Sequence, residues 1–430
     1  MKTKRRLTPL ERSWISYDIG NSAFTLLVST LLPIYFNSLA EAANLNEDLY
    51  LSYWGYAGSI ATVLVAIIGP ICGTLSDRKN FKKPIFLLSV LLGVAGCAAL
   101  GLTGHWLSFL AVFIIGKVGF HASLVFYDSM LPEVTDRDNM DNLSTQGYAY
   151  GYIGSVIPFV ACLVLVLMYE SFGISQGTAM VIAFLITAVW WAVLTLPLLR
   201  HYKQVAYTEV TASPVRDTFR QLADTFRKAR QDKHIFLYLA AFFFFINGVY
   251  TIIDMATAYG TALGLDTTGL LLALLVTQIV AFPCAILFGK LSKGVDSGKL
   301  IKICILCYTG ITVFAIFLVS QWQFWTLAVL VGMFQGAIQA LSRSYLGKII
   351  PADQSGEFYG LMDICGKGAS FLGMILVGLV NQLTAGMTLN VFGLELQNAN
   401  FAVSILVVLF AIGYALFSKA DKLNKARVSV

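Results

Sequence analysis

The sequence predicts an all-α membrane protein whose twelve transmembrane helices form two pseudo-symmetric six-helix bundles. Three observations carry that expectation. Of the 430 residues, 57% are hydrophobic and 13% are charged, about half the charge of an ordinary soluble domain. Apolar stretches of about twenty residues recur along the whole chain, each long enough to cross a ~30 Å hydrocarbon core as a helix. Short motifs of the first half also return in the second at a nearly fixed offset. Barrel strands would instead be ~10-residue segments of period two, and the chain does not read that way.

The stretches fall at roughly 13–40, 50–75, 84–103, 106–131, 143–169, 176–199, 234–258, 266–289, 299–319, 322–349, 358–384 and 399–418. Ahead of the first, Thr8-Pro9-Leu10-Glu11 has the spacing of a capping box and predicts a helix start. Ala40-Glu41-Ala42 loosely resembles a secretory cleavage site. The preceding apolar segment is longer than a signal core and carries charge, so it reads as a retained span. The longest charged loop runs from Arg200 to Lys233. In it Ser213-Pro214 has the form of a helix start, followed by Val215, Phe219, Leu222 and Phe226 at helical spacing. A basic amphipathic helix on the inner leaflet and a flexible tether both fit. The expected organisation is an N-terminal six-helix bundle over 1–199, a cytoplasmic linker over 200–233, a C-terminal bundle over 234–418 and a cytoplasmic tail over 419–430.

The halves echo each other. Gly73-Thr74-Leu75-Ser76 ends the second stretch, and Gly289-Lys290-Leu291-Ser292 ends the eighth, 216 residues later. Pro132 and Pro351, Gly147 and Gly366, and Gly154 and Gly373 are each 219 apart. Such constancy predicts a parallel repeat about an axis along the membrane normal, with a solute site near the midplane between the bundles. Gly147, Gly151, Gly154, Gly366 and Gly373 allow close helix contact.

All of the 30 lysines and arginines except Lys117 and Lys367 lie at alternate loops and the two termini, on one side. The opposite loops hold Glu41, Glu47, Asp48, Glu170, Asp266 and Glu395 and no cation. That bias predicts both termini in the cytoplasm. The net charge of +6 reflects topology and implies no nucleic-acid partner. The seven cysteines, Cys72, Cys97, Cys162, Cys284, Cys304, Cys307 and Cys365, fall within predicted spans and read as small packing residues. Cys304 and Cys307 have CxxC spacing without a second ligand pair, so no metal is expected. The chain has no GxxxxGK[ST] or HExxH motif and no nucleophile–base cluster. Direct ATP use, enzyme chemistry and a cofactor are therefore not expected.

A charge at the bilayer centre costs about 2.5–3.5 kcal/mol on insertion scales, offsetting about six leucines. Polar groups inside spans therefore mark a partner or a wet cavity. Asp18, Asn21 and Thr25 share a face of the first span, Lys117, His121 and Asp128 a face of the fourth, and Asn247, Thr251 and Asp254 a face of the seventh. Gln335, Gln339 and Ser342 align in the tenth with Arg343 beside them, and Asp363 and Lys367 stand one turn apart in the eleventh. Asn21, Thr25, Lys117, His121, Asn247, Thr251, Gln335 and Gln339 are the candidate substrate contacts. Asp18, Asp128, Asp254, Arg343, Asp363 and Lys367 are candidates for gating or proton coupling, and His121 shares the proton role. Other roles stay open. Lys117 suits a carboxylate or phosphate, or an interhelical salt bridge. His121 can be a hydrogen-bonded core residue, Asp128 a gate or a substrate group, and Asp363 with Lys367 a self-neutralising pair. Tyr148, Tyr150, Tyr152 and Phe242 to Phe245 read as lipid contact and packing.

The loop Gly73-Thr74-Leu75-Ser76-Asp77-Arg78-Lys79-Asn80-Phe81-Lys82-Lys83 resembles the loop 2–3 signature of the major facilitator superfamily, with Asn80-Phe81 in place of its usual glycine. Gly73 would admit a close helix, and Asp77 would pair with a cation or cap a neighbouring helix. Gating is assigned to Gly73, Asp77 and Arg78, while the loop lysines read as solvated. A narrower resemblance lies in Trp14-x-x-Tyr17-Asp18-x-x-Asn21-Ser22-Ala23-Phe24, in GMFQGAIQALSRSYLGKIIP, and in Glu357-Phe358-Tyr359-Gly360. Over essentially the whole chain these are similar to the Atg22-like effluxers and their bacterial relatives. Phe126-Tyr127-Asp128-Ser129-Met130-Leu131-Pro132 also fits, with Asp128 where asparagine is more usual.

The resemblance implies the major facilitator fold, a cavity lined by the first, fourth, seventh and tenth spans, and a monomer in a bacterial plasma membrane. It also implies solute efflux, with amino acids the cargo proposed for eukaryotic members. The leading expectation is a secondary active transporter moving an amino acid or other carboxylate-bearing small molecule by alternating access, coupled to an ion or to protons. A rival cargo is an amphipathic lipid such as a lysophospholipid, and membrane lipid is an expected contact in either case. From another class, a non-transporting membrane sensor is the alternative.

Overall fold

The computed structural model describes residues 6–45, 50–208, 227, 232–391 and 394–428, with the side chains of 50–52, 267, 268, 271, 367–371 and 428 outside that description. The expected amphipathic helix after Ser213 and the side chain of Lys367 therefore lie outside the described residues.

Among the described residues twelve long helices follow one another: α1 (Pro9–Ala42), α2 (Tyr50–Ser76), α3 (Lys82–Ala99), α4 (Trp106–Ser129), α5 (Met140–Leu167), α6 (Gln176–His201), α7 (Lys233–Ala262), α8 (Thr267–Leu291), α9 (Ser297–Ile316), α10 (Gln321–Ile349), α11 (Ser355–Leu383) and α12 (Ile405–Val428). Strands β1 (Leu389–Val391) and β2 (Leu394–Leu396) pair antiparallel between α11 and α12, with Leu389 opposite Leu396. Among the described residues eleven helices are long and apolar enough to cross a membrane, and α11 contributes the apolar stretch Leu372–Leu383.

Helix starts follow local chemistry. At α1 the capping box forms: Glu11 N donates to Thr8 Oγ1 at 3.1 Å and Thr8 N donates to Glu11 Oε2 at 2.7 Å. Ser175, Asp266 and Asp296 cap α6, α8 and α9, each side chain accepting from a backbone N–H of the first turn. The last helix departs from the expected span. The chain first makes a short turn, Asn398–Ala402. There Asn400 is drawn inward, donating to Leu318 O at 2.8 Å and Tyr259 Oη at 3.1 Å. From Ile405 the helix then continues through the charged tail, where Asp421 holds Lys302 at 2.7 Å and Lys425 at 2.9 Å.

The chain divides into two compact units. Unit 1 holds Met1–Asp136, Tyr150–Phe219 and Ala352–Gly360; unit 2 holds Arg137–Ala149, Arg220–Pro351 and Leu361–Val430. Helix α5 thus begins in unit 2 and continues in unit 1, and α11 does the reverse. In unit 1, α1 packs on α6, α3 on α4 and α6, and α2 on α4. In unit 2, α7 packs on α12, α9 on α10 and α12, and α8 on α10. The repeat reaches single bonds. Tyr17 of α1 donates its hydroxyl to Ser123 Oγ of α4 at 2.6 Å, and Tyr238 of α7 donates to Ser342 O of α10 at 2.6 Å. Ser123 and Ser342 are 219 residues apart, the offset of the repeated glycines.

Candidate functional site

In unit 1 the α1 stripe splits. Asp18 and Asn21 are buried and Thr25 is exposed. Asn21 turns its Nδ2 back to Tyr17 O of its own helix at 3.0 Å. On α4, Lys117 Nζ lies 5.5 Å from the centre of the Phe113 ring, whose face attracts a cation. A Cβ built on Gly58 of α2 would come within 3.7 Å of that Nζ and meet nothing else, so the glycine leaves room beside the ammonium. His121 sits edge-on to Phe120 at 5.1 Å. Lys117, His121 and Asp128 are all half-buried.

In unit 2, α7 and α10 run antiparallel and touch through the Tyr238–Ser342 bond. Asn247 lies nine residues onward along α7 and Gln335 seven residues back along α10. At 1.5 Å per residue that is about 13 and 10 Å, so the two carboxamides stand at similar depth. Asn247 is fully buried, and its Oδ1 accepts from Thr251 Oγ1 at 3.2 Å. Gly373 of α11 packs directly on this pair, where any Cβ would collide. Gln335 is 3% exposed, and its backbone oxygen accepts from Gln339 Nε2 at 3.1 Å. Among the described residues, Asn247 Nδ2, Gln335 Nε2 and Ser342 Oγ have no hydrogen-bond partner. Asp254 is exposed and Asp363 half-buried.

The loop signature builds a latch within unit 1. Asp77 is 1% exposed, and its carboxylate accepts from Gly356 N at 2.8 Å and Glu357 N at 2.9 Å. It caps the start of α11, where unpaired N–H groups and the helix dipole favour an anion. Gly73 makes the approach possible, because its backbone lies directly against Gly356 and a Cβ on either would strike the other. Asn80 turns the loop with φ +67°. Asparagine enters that left-handed region more readily than most residues, so it can stand where the signature has glycine. Arg78 is buried as well.

Lys82 corrects the sequence reading. Expected in solvent, it is 0% exposed. Its Nζ donates to Glu133 Oε1 at 2.7 Å, Ser355 Oγ at 2.9 Å and Ser129 O at 3.5 Å, and lies 3.6 Å from Asp77 Oδ1. The reason is Glu133, an acid just past α4 that draws the ammonium inward. Burial pushes the Asp77 carboxyl up to about 6, against the pull of Lys82 and the two α11 N–H groups; Glu133 adds to the rise.

A second latch lies within unit 2. Arg343, 3% exposed, donates Nε to Ser144 Oγ at 2.9 Å and Nη2 to Ser144 O at 3.0 Å, and covers the Tyr148 ring at 4.5 Å. Tyr148, expected in lipid contact and packing, is thus a platform for a guanidinium. Ser344 donates to Asp141 Oδ1 at 2.6 Å, and Lys348 bonds Asp141 Oδ2 and, at 2.9 Å, Ser297 Oγ. Gly289 packs on Thr145 of α5, as Gly73 does on α11. Lys82, Glu133, Asp141, Ser144 and Lys348 were not singled out by sequence reasoning. One signal could have found them: Asp77, Glu133 and Asp141 are acids at the loops that gather the cations.

The family model described as vacuole effluxer Atg22-like matches residues 46–428. The MFS-type transporter YxiO of Bacillus subtilis (strain 168) is 38% identical over 411 residues, covering 94% of this chain and 95% of that protein. Autophagy-related protein 22-2 of Aspergillus niger is 22% identical over 475 residues, covering 94% and 75%. The human organic anion transporter MFSD10 superposes with a TM-score of 0.69 at 14% identity, over 95% of this chain and 98% of that one. FucP, a major facilitator superfamily transporter solved in the outward conformation, gives 0.69 at 13% identity, over 96% and 97%. At such identities the solved structures establish the fold, two six-helix bundles of the major facilitator type. The chain belongs to the Atg22-like effluxer family and is a multi-pass membrane transporter of the major facilitator type.

Proposed function

We propose that the protein is a secondary active transporter that moves a small carboxylate-bearing solute, amino acids included, by alternating access. The observation that carries this reading is the pair of open carboxamide donors, Asn247 Nδ2 and Gln335 Nε2, buried at similar depth on α7 and α10. A buried donor without a partner costs about 1–3 kcal/mol, and an arriving acceptor removes that cost. A carboxylate, which only accepts hydrogen bonds when ionised, is the matching ligand group. In unit 1, Lys117 beside Phe113 and Gly58 offers a cation to the same class of solute. Asn21, Thr25, His121, Thr251 and Gln339 complete the set of solute contacts.

His121, Asp128 and Asp254 are the proposed carriers of a coupled proton, since a group whose hydration changes during the cycle changes its proton affinity. Asp18, Asp363 and Lys367 are assigned to gating or to the same coupling. The bias of cations supports a cytoplasmic side for the basic ends of the helices, with a bacterial plasma membrane as the proposed location. The Asp77 and Arg343 latches then act at the inner mouth and break when that mouth opens. The moving bodies are the bundles over 1–199 and 234–418, joined by 200–233 and followed by the tail 419–430, in a lipid-embedded monomer.

Counterflow in proteoliposomes tests the reading, with labelled amino acids, other small carboxylates and a lysophospholipid as cargo and a pH dye inside. Exchange of a carboxylate-bearing solute with an accompanying pH change is expected. Exchange of the lysophospholipid alone, or of no carboxylate at all, would overturn it.

A further inference from the structure

The chain leaving α6 is fastened at the start of the linker. Tyr202, 1% exposed, donates its hydroxyl to Glu133 Oε1 at 3.0 Å. Val205 N and Ala206 N donate to Glu133 Oε2 at 2.7 and 3.2 Å. Gln204 donates Nε2 to Ser76 O at 3.0 Å, and its Oε1 accepts from Lys82 N at 3.3 Å. Thr208 N donates to Asp77 O at 2.7 Å, which pairs Thr208 with Arg78 in a parallel bridge. Tyr207 receives Lys79 Nζ over its ring at 5.3 Å. Every one of these bonds ends on the loop signature or on Glu133.

This fastening decides how Lys82 is shared. The ammonium stands between two carboxylates, 2.7 Å from Glu133 and 3.6 Å from Asp77. Three donors from Tyr202, Val205 and Ala206 hold Glu133 in place, and with Lys82 they occupy both of its oxygens. Asp77 is left with the more distant share of the lysine and is covered by the same segment. The other charged or titratable groups around it are Arg78 beside it in the chain, Glu357 at the start of α11, and Tyr202.

We propose that Tyr202–Thr208 is a positioning strap for the α11 latch. By seating Glu133 it keeps Lys82 away from Asp77, and so makes Asp77 the carboxyl that takes a proton from solution when the start of α11 docks. The strap is the first piece of the connection between the two halves. Proton uptake at the latch is therefore governed by chain that lies outside the loop signature. This goes beyond the solute reading and does not depend on it.

The sign of the effect follows from linkage. Docked, Asp77 titrates at about 6, against 3.8 for an ordinary aspartate. Between those values the docked latch holds more protons than the open one. Docking therefore gains as pH falls through about 6 and loses that support as pH rises. Freeing the strap, or neutralising Glu133, gives Lys82 to Asp77 and lets water reach it; both changes bring the titration down toward 3.8.

Infrared titration of the full-length protein in lipid nanodiscs tests this, reading the protonated-carboxyl band with Asp77→Asn to identify the contribution of Asp77. In the native chain that contribution is expected to titrate at about 6. In Glu133→Gln, and in the double variant Tyr202→Phe/Gln204→Ala, the midpoint is expected to fall toward 3.8. The double variant leaves every charge in place, so it gives the same reading if Glu133→Gln does not fold. A native midpoint near 3.8 would overturn the proposal, as would strap variants that melt at lower temperature but keep the native midpoint.

Discussion

The two latches grip equivalent helices of the repeat, α11 and α5, from different elements and with opposite charge. In unit 1, α11 offers the N–H groups of its first turn and receives an anion, Asp77. In unit 2, α5 offers oxygens, those of Ser144 and Asp141, and receives the cations Arg343 and Lys348. Gly73 and Gly289 fix where a helix start can approach, and the side chains that hold it have diverged. Proton response follows from that difference. A carboxyl can be neutralised in the physiological range, whereas a guanidinium keeps its charge at any pH a protein meets.

The most damaging break is Lys82→Ala, which leaves Glu133 and Asp77 buried without their shared ammonium. Removing one side of a buried pair costs about 3–5 kcal/mol, to be read as a large fall in the thermal midpoint of the purified protein. Arg343→Lys is milder. It keeps the charge but loses the forked contact to Ser144 and the stack on Tyr148, a loss of about 1–3 kcal/mol in the same assay. The smallest effect sharpens the comparison without a mutation. Between pH 7 and 5, hydrogen exchange corrected for its intrinsic pH dependence is expected to slow at the amides of Gly356 and Glu357. The α5 amides around Ser144 and Tyr148 are expected to stay as they were. Equal responses on both sides would erase the distinction between the latches.

Much of this architecture was legible in the sequence because it depends on one-dimensional signals. Apolar length located the spans, and the capping box at Thr8 located the start of α1. The glycine offsets anticipated the parallel contacts of Gly154 with Ile19 and Gly373 with Asn247. Partners from distant parts of the chain left no such signal. Lys82 read as a solvated loop lysine because Glu133 lies 51 residues away in sequence, and Ser355 273 away. The α12 boundary moved because Asn400 bonds to α7 and to the end of α9, a tertiary demand that hydropathy does not register. Asp77 and Arg78 stood out through the loop signature, but the strap has no motif of its own. Its bonds come largely from backbone N–H groups, which every sequence possesses.

The account of the solute site is tested most directly by measuring thermal stability and counterflow together in Gln335→Met and Asn247→Ala. Each substitution removes a buried donor that has no partner among the described residues. In Gln335→Met the thermal midpoint is expected to hold or rise, whereas Asn247→Ala also takes from Thr251 Oγ1 its acceptor and is expected to lower it. In both, counterflow of the carboxylate solute is expected to fall about tenfold or more, the equivalent of about 1.4 kcal/mol of lost binding. Counterflow that survives both substitutions, or that in Gln335→Met falls only in step with a lowered midpoint, would contradict it.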